Sequence, residues 1–206
     1  MMKCVRTPVM TTILSSAVAL SAASVKYRVN PEKSSATIHV GKAGMFSFIA
    51  GHTHEVRGPI QSGTVDVDLE APASARIELA IAAADLKVLP EGEPEGDAPK
   101  VQEAMDGAKV LDVSRFQRIT FESKTVAVNN RHGNVLELTV AGALTIRDVT
   151  QPVTAPVRVE AAGGLLTASG RFAFKQSAFG ITPISIGGVV AVKDTLQIDF
   201  TIVATK

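Results

Sequence analysis

The sequence predicts an all-β protein, an antiparallel sandwich or barrel, on the basis of two observations. From Ser34 onward, apolar and polar residues alternate in short runs that are rich in Val, Ile, Thr and Phe. Gly, Pro, Asn or Asp residues separate most of these runs, as expected for turns between strands. Alternation places one face of each strand against an apolar interior and the other in water, which is typical of antiparallel sheets.

The predicted strands follow one another along the chain with a single interruption. They cover residues 36–41, 65–69, 77–81, 119–123, 136–140, 156–159, 171–174 and 196–202. Residues 86–99 break the pattern because they are rich in Pro and acidic side chains. Helical spacing follows at Val101, Ala104, Met105 and Ala108, with Pro99 before the first turn. We predict an exposed acidic loop and a short helix inserted in a single domain.

Composition excludes several classes of protein. The chain has 206 residues, of which 46% are hydrophobic and 20% charged, which is enough apolar material for a packed domain. Its 21 basic and 20 acidic residues give a net charge of +1 and form no basic block. A nucleic-acid partner is therefore not predicted. Since no apolar run reaches about 18 residues, no integral membrane segment is predicted either.

The N-terminal residues have the pattern of a secretory signal peptide. Two basic residues among the first six precede the apolar stretch Pro8–Leu20, and small residues follow it. We expect residues 1–23 to be the signal peptide, cleaved after Ala19 or Ala23, and residues 24–206 to form the single mature domain. Cleavage would remove Cys4, the only cysteine. The expected location is periplasmic or secreted.

His52 and His54 are the sharpest polar feature of the sequence. On a strand, residues two apart project from the same face, so both rings could reach one metal ion. A metal site needs a third ligand, which the spacing does not supply, and the alternative is that both rings hydrogen-bond to neighbours or line a rim. We predict neither a metal nor a cofactor. No Gly-x-Ser-x-Gly elbow is present, and we predict no catalytic residue.

The eight phenylalanines are the most unusual part of the apolar composition, which includes no tryptophan. Most of them lie in or next to predicted strands. They could fill a closed core or line a cavity, because a barrel of about eight strands is wide enough for a small or slender ligand. Alternation alone does not separate these two interpretations.

Six segments carry a resemblance to a known family. They are Tyr27–Asn30, Ser34–Val40, Phe48–His54, Val110–Ser123, Val140–Val153 and Phe179–Ile181. In this order they resemble the YceI-like family of secreted polyisoprenoid-binding proteins. Two departures stand out. Asp148 occupies the position of the family's usual turn glycine, and Val101–Val110 replaces its charged helix start. Asp tolerates the positive φ of such a turn better than most residues.

The resemblance implies a lipocalin-like antiparallel β-barrel of about eight strands with one short inserted helix. It implies a non-catalytic protein whose lumen holds an isoprenoid or acyl-chain lipid. Under this hypothesis His52 and His54 lie at the rim. The lumen would be lined by Phe46, Phe48, Phe121, Leu138, Phe172, Phe174, Phe179 and Phe200. The alternatives are a metal-binding protein or metal-dependent enzyme using the two histidines, and a filled-core barrel acting as a stress-protective interaction module. A homodimer is compatible with the sequence.

Overall fold

A computed structural model describes residues 24–43, 53–186 and 190–206 of the chain. The expected signal peptide, Phe46, Phe48 and His52 lie outside the described residues. The described strands are β1 (Val25–Val29), β2 (Ser35–Ala43), β3 (His54–Pro59), β4 (Ser62–Val67), β5 (Arg76–Ala82), β6 (Lys87–Val88), β7 (Arg118–His132), β8 (Val135–Ile146), β9 (Val149–Ala162), β10 (Leu165–Lys175), β11 (Ser185–Ile186) and β12 (Val190–Thr205). The described helix, α1, spans Ala98–Asp106, and short 3₁₀ turns cover Pro72–Ser74, Ala83–Asp85, Pro90–Gly92 and Gln176–Phe179.

The strands form a closed antiparallel barrel with eight strand positions. Three positions are each shared by two consecutive strands, β1 with β2, β3 with β4, and β5 with β6. β7, β8, β9, β10 and β12 fill the other five. The barrel closes because β12 pairs with β10 on one edge and with both β1 and β2 on the other. The all-β barrel predicted from the sequence is therefore confirmed.

A buried serine stabilises the bend between β1 and β2. Ser34 is 2% exposed, and its Oγ donates to the carbonyl of Val203 at 3.2 Å and accepts from the Val203 N–H at 2.9 Å. The carbonyl of Ser34 accepts from the Ile60 N–H at 3.0 Å. The side chain thus replaces ladder bonds that the bend interrupts, which keeps these backbone groups of the wall paired.

The two ends of the barrel differ. At one end, which we call the helix end, lie α1 and the turn between β8 and β9. Arg147 and Asp148 form that turn with φ of 52° and 61°. A two-residue hairpin turn of type I′ requires positive φ at both positions, and Asp fits this requirement. The expectation that Asp148 takes the place of a turn glycine is consistent with this geometry.

The opposite end, which we call the hairpin end, contains the β7–β8 and β9–β10 turns. The segment from residue 68 to residue 75 crosses it, with Pro72 buried. Arg131 on β7 holds this segment, because its guanidinium donates to the Leu69 carbonyl at 2.8 Å and lies 3.3 Å from Glu70 Oε1. The hairpin end is therefore covered by a fixed segment.

The wall is interrupted between β9 and β10. Their ladder runs from Leu165 opposite Ala162 to Gly170 opposite Val157 and stops there. The next residue of β9 in the direction of the helix end is Pro156, which has no N–H to donate. Residues 149–156 of β9 and 171–175 of β10 consequently leave a gap in the wall at the helix end.

The 3₁₀ turn Gln176–Phe179 fills this gap. Phe179 is 1% exposed and lies with its ring centroid 5.0 Å from that of Phe174. The turn is fixed to a bulge in β12, where Gln176 Nε2 donates to the Lys193 carbonyl at 2.8 Å. Asp194 accepts from both the N–H and the Oγ of Ser177, and these bonds lower the pKa of its carboxyl group.

Charged side chains form a network across the outer face of four neighbouring strands. The Nη2 of Arg171 donates to Asp199 at 2.7 Å, and its Nε donates to the other oxygen of the same carboxylate. The ring nitrogens of His39 lie 3.0 Å from Asp199 and 3.1 Å from Glu55. Chiefly because of the hydrogen bonds from Arg171, the pKa of Asp199 falls from 3.8 to about 2. The network links β10, β12, β2 and β3.

We expect the substitution Asp199→Asn to reduce stability in neutral solution and to have no effect near pH 2. The folded-state pKa of Asp199 is below its unfolded value, so its stabilising contribution is complete above about pH 4 and is lost as the pH falls to about 2. Urea unfolding midpoints measured between pH 6 and pH 2 test this. Glu78→Gln is the matched control, because Glu78 is exposed and has no ion pair among the described residues. If the urea unfolding midpoints of wild type and Asp199→Asn still differ at pH 2, the prediction is contradicted.

Candidate functional site

A cavity of about 680 Å³ occupies the interior of the barrel. This volume lies within the range of small-molecule binding sites in proteins. The wall is made by the inward-facing residues of the strands. On β8, Leu136, Leu138, Val140 and Leu144 are buried and line the cavity, while Glu137, Thr139, Ala141 and Ala143 are less buried and face outward. The alternation seen in the sequence thus turns an apolar surface towards a space that side chains do not fill.

The phenylalanines predicted for the lumen occupy two kinds of place. Phe121, Phe172, Phe174 and Phe200 line the cavity together with Leu138. The rings of Phe172 and Phe200 lie 6.2 Å apart in an edge-to-face arrangement, which aromatic pairs favour.

Phe179 lies outside the described lining of the cavity. It packs in a cluster that includes Leu144, Ile146 and Ile181, which themselves line the cavity. Its place in the gap between β9 and β10 gives it a packing role instead of a contact with the cavity.

Polar residues of the described lining lie at the helix end. They are Lys42, His54, Asp97, Lys100, Thr120 and Gln176. All other residues of the described lining, including those from the middle of the barrel to the hairpin end, are Ala, Val, Ile, Leu, Met, Phe or Pro. The site therefore suits a molecule with a long apolar part and one polar end.

His54 is held at the helix end by an acidic partner from the Pro- and acid-rich loop. Its Nδ1 lies 2.6 Å from Glu93 Oε1, and the side chain of Glu93 is only 1% exposed. The sequence predicted an exposed acidic loop, which is correct for Glu91 and Glu95 but wrong for Glu93. The side chain of Glu93 is buried where it meets His54, a contact between residues 39 positions apart.

Helix α1 closes the barrel wall where β6 and β7 do not pair. Gln102 completes the free edge of β6: its Oε1 accepts from the Val88 N–H at 2.9 Å, and its Nε2 donates to the Leu86 carbonyl at 3.0 Å. The same helix places Val101 and Met105 in the cavity lining. The prediction of a short helix is confirmed, although α1 ends at Asp106 and Ala108 lies beyond it.

Several lining residues were not identified from the sequence. Lys42, the pair Asp97 and Lys100, and Gln176 meet at the helix end from three separate segments, so no local motif connects them. Helical spacing did identify the apolar face of α1. An apolar helix face has to be covered, and this was the one available signal in the sequence that the helix packs into the barrel wall.

The described residues contain no group of three or more His, Cys, Asp or Glu side chains placed to hold a metal ion. The position of His52 relative to His54 lies outside them. Among the same residues, no helix is long and apolar enough to cross a membrane.

The chain forms a closed eight-stranded barrel of lipocalin-like form, and its cavity is apolar except at one end. These two features place it in the class of barrel binding proteins. The family model of the YceI-like domain matches residues 27–204, and the chain belongs to the YceI-like family. A comparison with curated proteins gives no match.

Solved structures support the same architecture. BcnA of Burkholderia cenocepacia is 26% identical, with a TM-score of 0.61 over 86% of this chain and 99% of its own. A polyisoprenoid-binding domain from Saccharophagus degradans, implicated in plant cell wall breakdown, is 9% identical with a TM-score of 0.60 over 87% of this chain and 97% of its own. The YCEI protein of Campylobacter jejuni is 13% identical with a TM-score of 0.53, over 72% and 84% of the two chains. At the last two identities, the likeness shows the fold alone.

Proposed function

We propose that this protein binds one amphiphilic lipid with an isoprenoid or other long hydrocarbon tail, and that it does so without catalysis. The observation that carries the proposal is the distribution of polarity in the cavity: the interior is apolar, and the polar lining residues lie at the helix end. The tail would occupy the interior and the polar head the helix end. The description of the Saccharophagus degradans domain as polyisoprenoid-binding supports the choice of tail.

The energy of such binding comes from removing the tail from water. Each buried methylene group contributes about 0.8 kcal/mol, so about ten groups contribute about 8 kcal/mol before the cost of ordering the tail is subtracted. At the helix end, His54 and Glu93 form a fixed polar surface next to the cavity. We propose that this surface orients the head, because a buried polar head needs hydrogen-bond partners.

We also propose that the protein acts in the periplasm or after secretion. The basic, apolar and small-residue pattern of residues 1–23 supports export. A carrier of a hydrocarbon tail is useful in an aqueous compartment, where the free lipid would aggregate.

Native mass spectrometry of the protein exported to a bacterial periplasm tests the proposal directly. We expect one lipid molecule per barrel, released and identified after solvent extraction, on a polypeptide shortened by 19 or 23 residues. The matched experiment adds geranylgeraniol or palmitate to delipidated protein. A barrel that carries no lipid and binds neither compound would overturn the lipid-binding proposal. A stoichiometric metal ion on the same sample would instead favour the metal-binding alternative, and an uncleaved chain in the cytoplasm would overturn the proposed location.

A further inference from the structure

Two glycines in the wall lie directly behind two of the aromatic rings that line the cavity. A Cβ atom on Gly142 of β8 would lie 2.5 Å from both Cε2 and Cζ of Phe121. A Cβ atom on Gly170 of β10 would lie 2.6 Å from Cζ of Phe200, the residue opposite it on β12. Such distances are not tolerated between carbon atoms, which pack at about 3.5–4.0 Å. Each ring therefore contacts the backbone at a position where only glycine leaves enough room for it.

The two rings border the same central section of the cavity. Phe121 and Phe200 both pack against the cluster of Val126, Leu136, Leu138, Val140 and Val157 in the middle of the barrel. The lining of this section is apolar, so a tail that passes through it is selected by its width and not by hydrogen bonds. The position of each ring relative to the wall consequently determines how wide this section is.

We propose that Gly142 and Gly170 determine which tails the barrel accepts, by letting Phe121 and Phe200 lie flat against the wall and leaving the central section wide enough for a methyl-branched chain. This inference rests on the proposed function and names the class of tail as isoprenoid instead of straight-chain acyl. An isoprenoid carries regularly spaced methyl branches and has a larger cross-section than a straight chain. A Cβ on Gly142 or Gly170 would lie 2.5 Å from a backbone oxygen, that of Glu122 or Pro156 respectively, as well as against the ring. The ring would have to move by about 1 Å, and the wall leaves it only the cavity to move into.

The test compares two alcohols of equal main-chain length, geranylgeraniol, which is branched, and hexadecanol, which is straight. Their dissociation constants are measured for wild type, Gly142→Ala and Gly170→Ala, with folding verified by circular dichroism. We expect the affinity for geranylgeraniol to fall at least tenfold in each variant and that for hexadecanol to fall less than threefold. Gly41→Ala is the control, because a Cβ on Gly41 would meet only the flexible side chain of Lys193.

A rescue experiment separates movement of the ring from distortion of the wall. The Cβ atom on Gly142 would also lie 2.5 Å from the carbonyl oxygen of Glu122, a backbone contact that a change at Phe121 does not remove. Adding Phe121→Leu to Gly142→Ala removes only the ring atoms. We expect the double variant to regain binding of geranylgeraniol to within threefold of Phe121→Leu alone. Failure to regain it would assign the loss to the backbone and overturn the proposal.

A second measurement does not depend on folding of the alanine variants. Phe121→Leu and Phe200→Leu, each with its glycine intact, widen the central section and leave a straight chain with fewer contacts. We expect the ratio of affinities to shift at least threefold towards geranylgeraniol. A ratio that stays within twofold of wild type in these variants would overturn the proposal. If wild type binds neither alcohol, the proposed lipid-binding function fails instead.

Discussion

Replacing Phe172 by aspartate is expected to abolish lipid binding, with a loss of at least about 100-fold in affinity. Phe172 lines the cavity, and its ring neighbours are Phe174 and Phe200, each with its centroid 6.2 Å away. A carboxylate at this position would lie beside the aromatic rings of the described lining and would be desolvated by the incoming tail. Desolvating an unpaired charge costs several kcal/mol, and a 100-fold loss of affinity corresponds to about 2.7 kcal/mol.

The neighbouring residue provides the control for this experiment. Ala173 follows Phe172 on β10 and faces outward, so Ala173→Asp places the same charge on the same strand in water. Binding of geranylgeraniol or palmitate by titration, together with circular dichroism, distinguishes the outcomes. A folded Phe172→Asp variant with affinity within threefold of wild type would remove this residue from the site. An unfolded variant, beside a folded Ala173→Asp, would make Phe172 a residue of the structural core and contradict the prediction.

Replacing Phe179 by alanine is expected to give the largest loss of stability of any single truncation in the gap between β9 and β10. Phe179 is 1% exposed and packs against Phe174 where the ladder is missing. Truncation of a fully buried phenylalanine typically costs about 3–5 kcal/mol, because a cavity remains where the ring was. Since Phe179 lies outside the described lining of the cavity, we expect the folded fraction of the variant to keep its affinity for lipid.

Urea unfolding with and without bound lipid measures both parts of this prediction. Leu165→Ala is the control, because Leu165 lies at the hairpin end and is 39% exposed. The control is expected to lose less than about 1 kcal/mol. A loss below about 1.5 kcal/mol in Phe179→Ala would show that the gap is closed by other contacts. A tenfold loss of affinity in the folded variant would show that the ring acts on the ligand after all.

The strands could be predicted from the sequence because the two-residue period of a strand is a local property of the backbone. The turn at Arg147 and Asp148 was expected from the resemblance to the YceI-like family, and the tolerance of Asp for positive φ fits it. The helix α1 was predicted from its spacing and from Pro99, which was expected before the first turn and lies within it. These elements are determined by contiguous residues and do not depend on the rest of the fold.

The difference between lumen and core could not be predicted in the same way. Phe172 and Phe179 are both apolar residues near the end of one strand, yet the first lines the cavity and the second fills a break in the wall. Which of these occurs depends on how many strands close the barrel and on their relative stagger, and both are non-local quantities. Burial of Glu93 against His54 depends likewise on which distant segments meet. The resemblance to the YceI-like family, and not the residue pattern, suggested a cavity.

The break between β9 and β10 has a consequence for the behaviour of the protein in concentrated solution. A strand edge without a partner is a template on which a strand of another molecule can add, which leads to aggregation. On the β9 side of this break, Pro152 and Pro156 offer no N–H to an incoming strand. On the β10 side, Phe179 and its 3₁₀ turn occupy the space. The interruption of the wall at the helix end is thus protected on both sides against addition of a strand from another molecule.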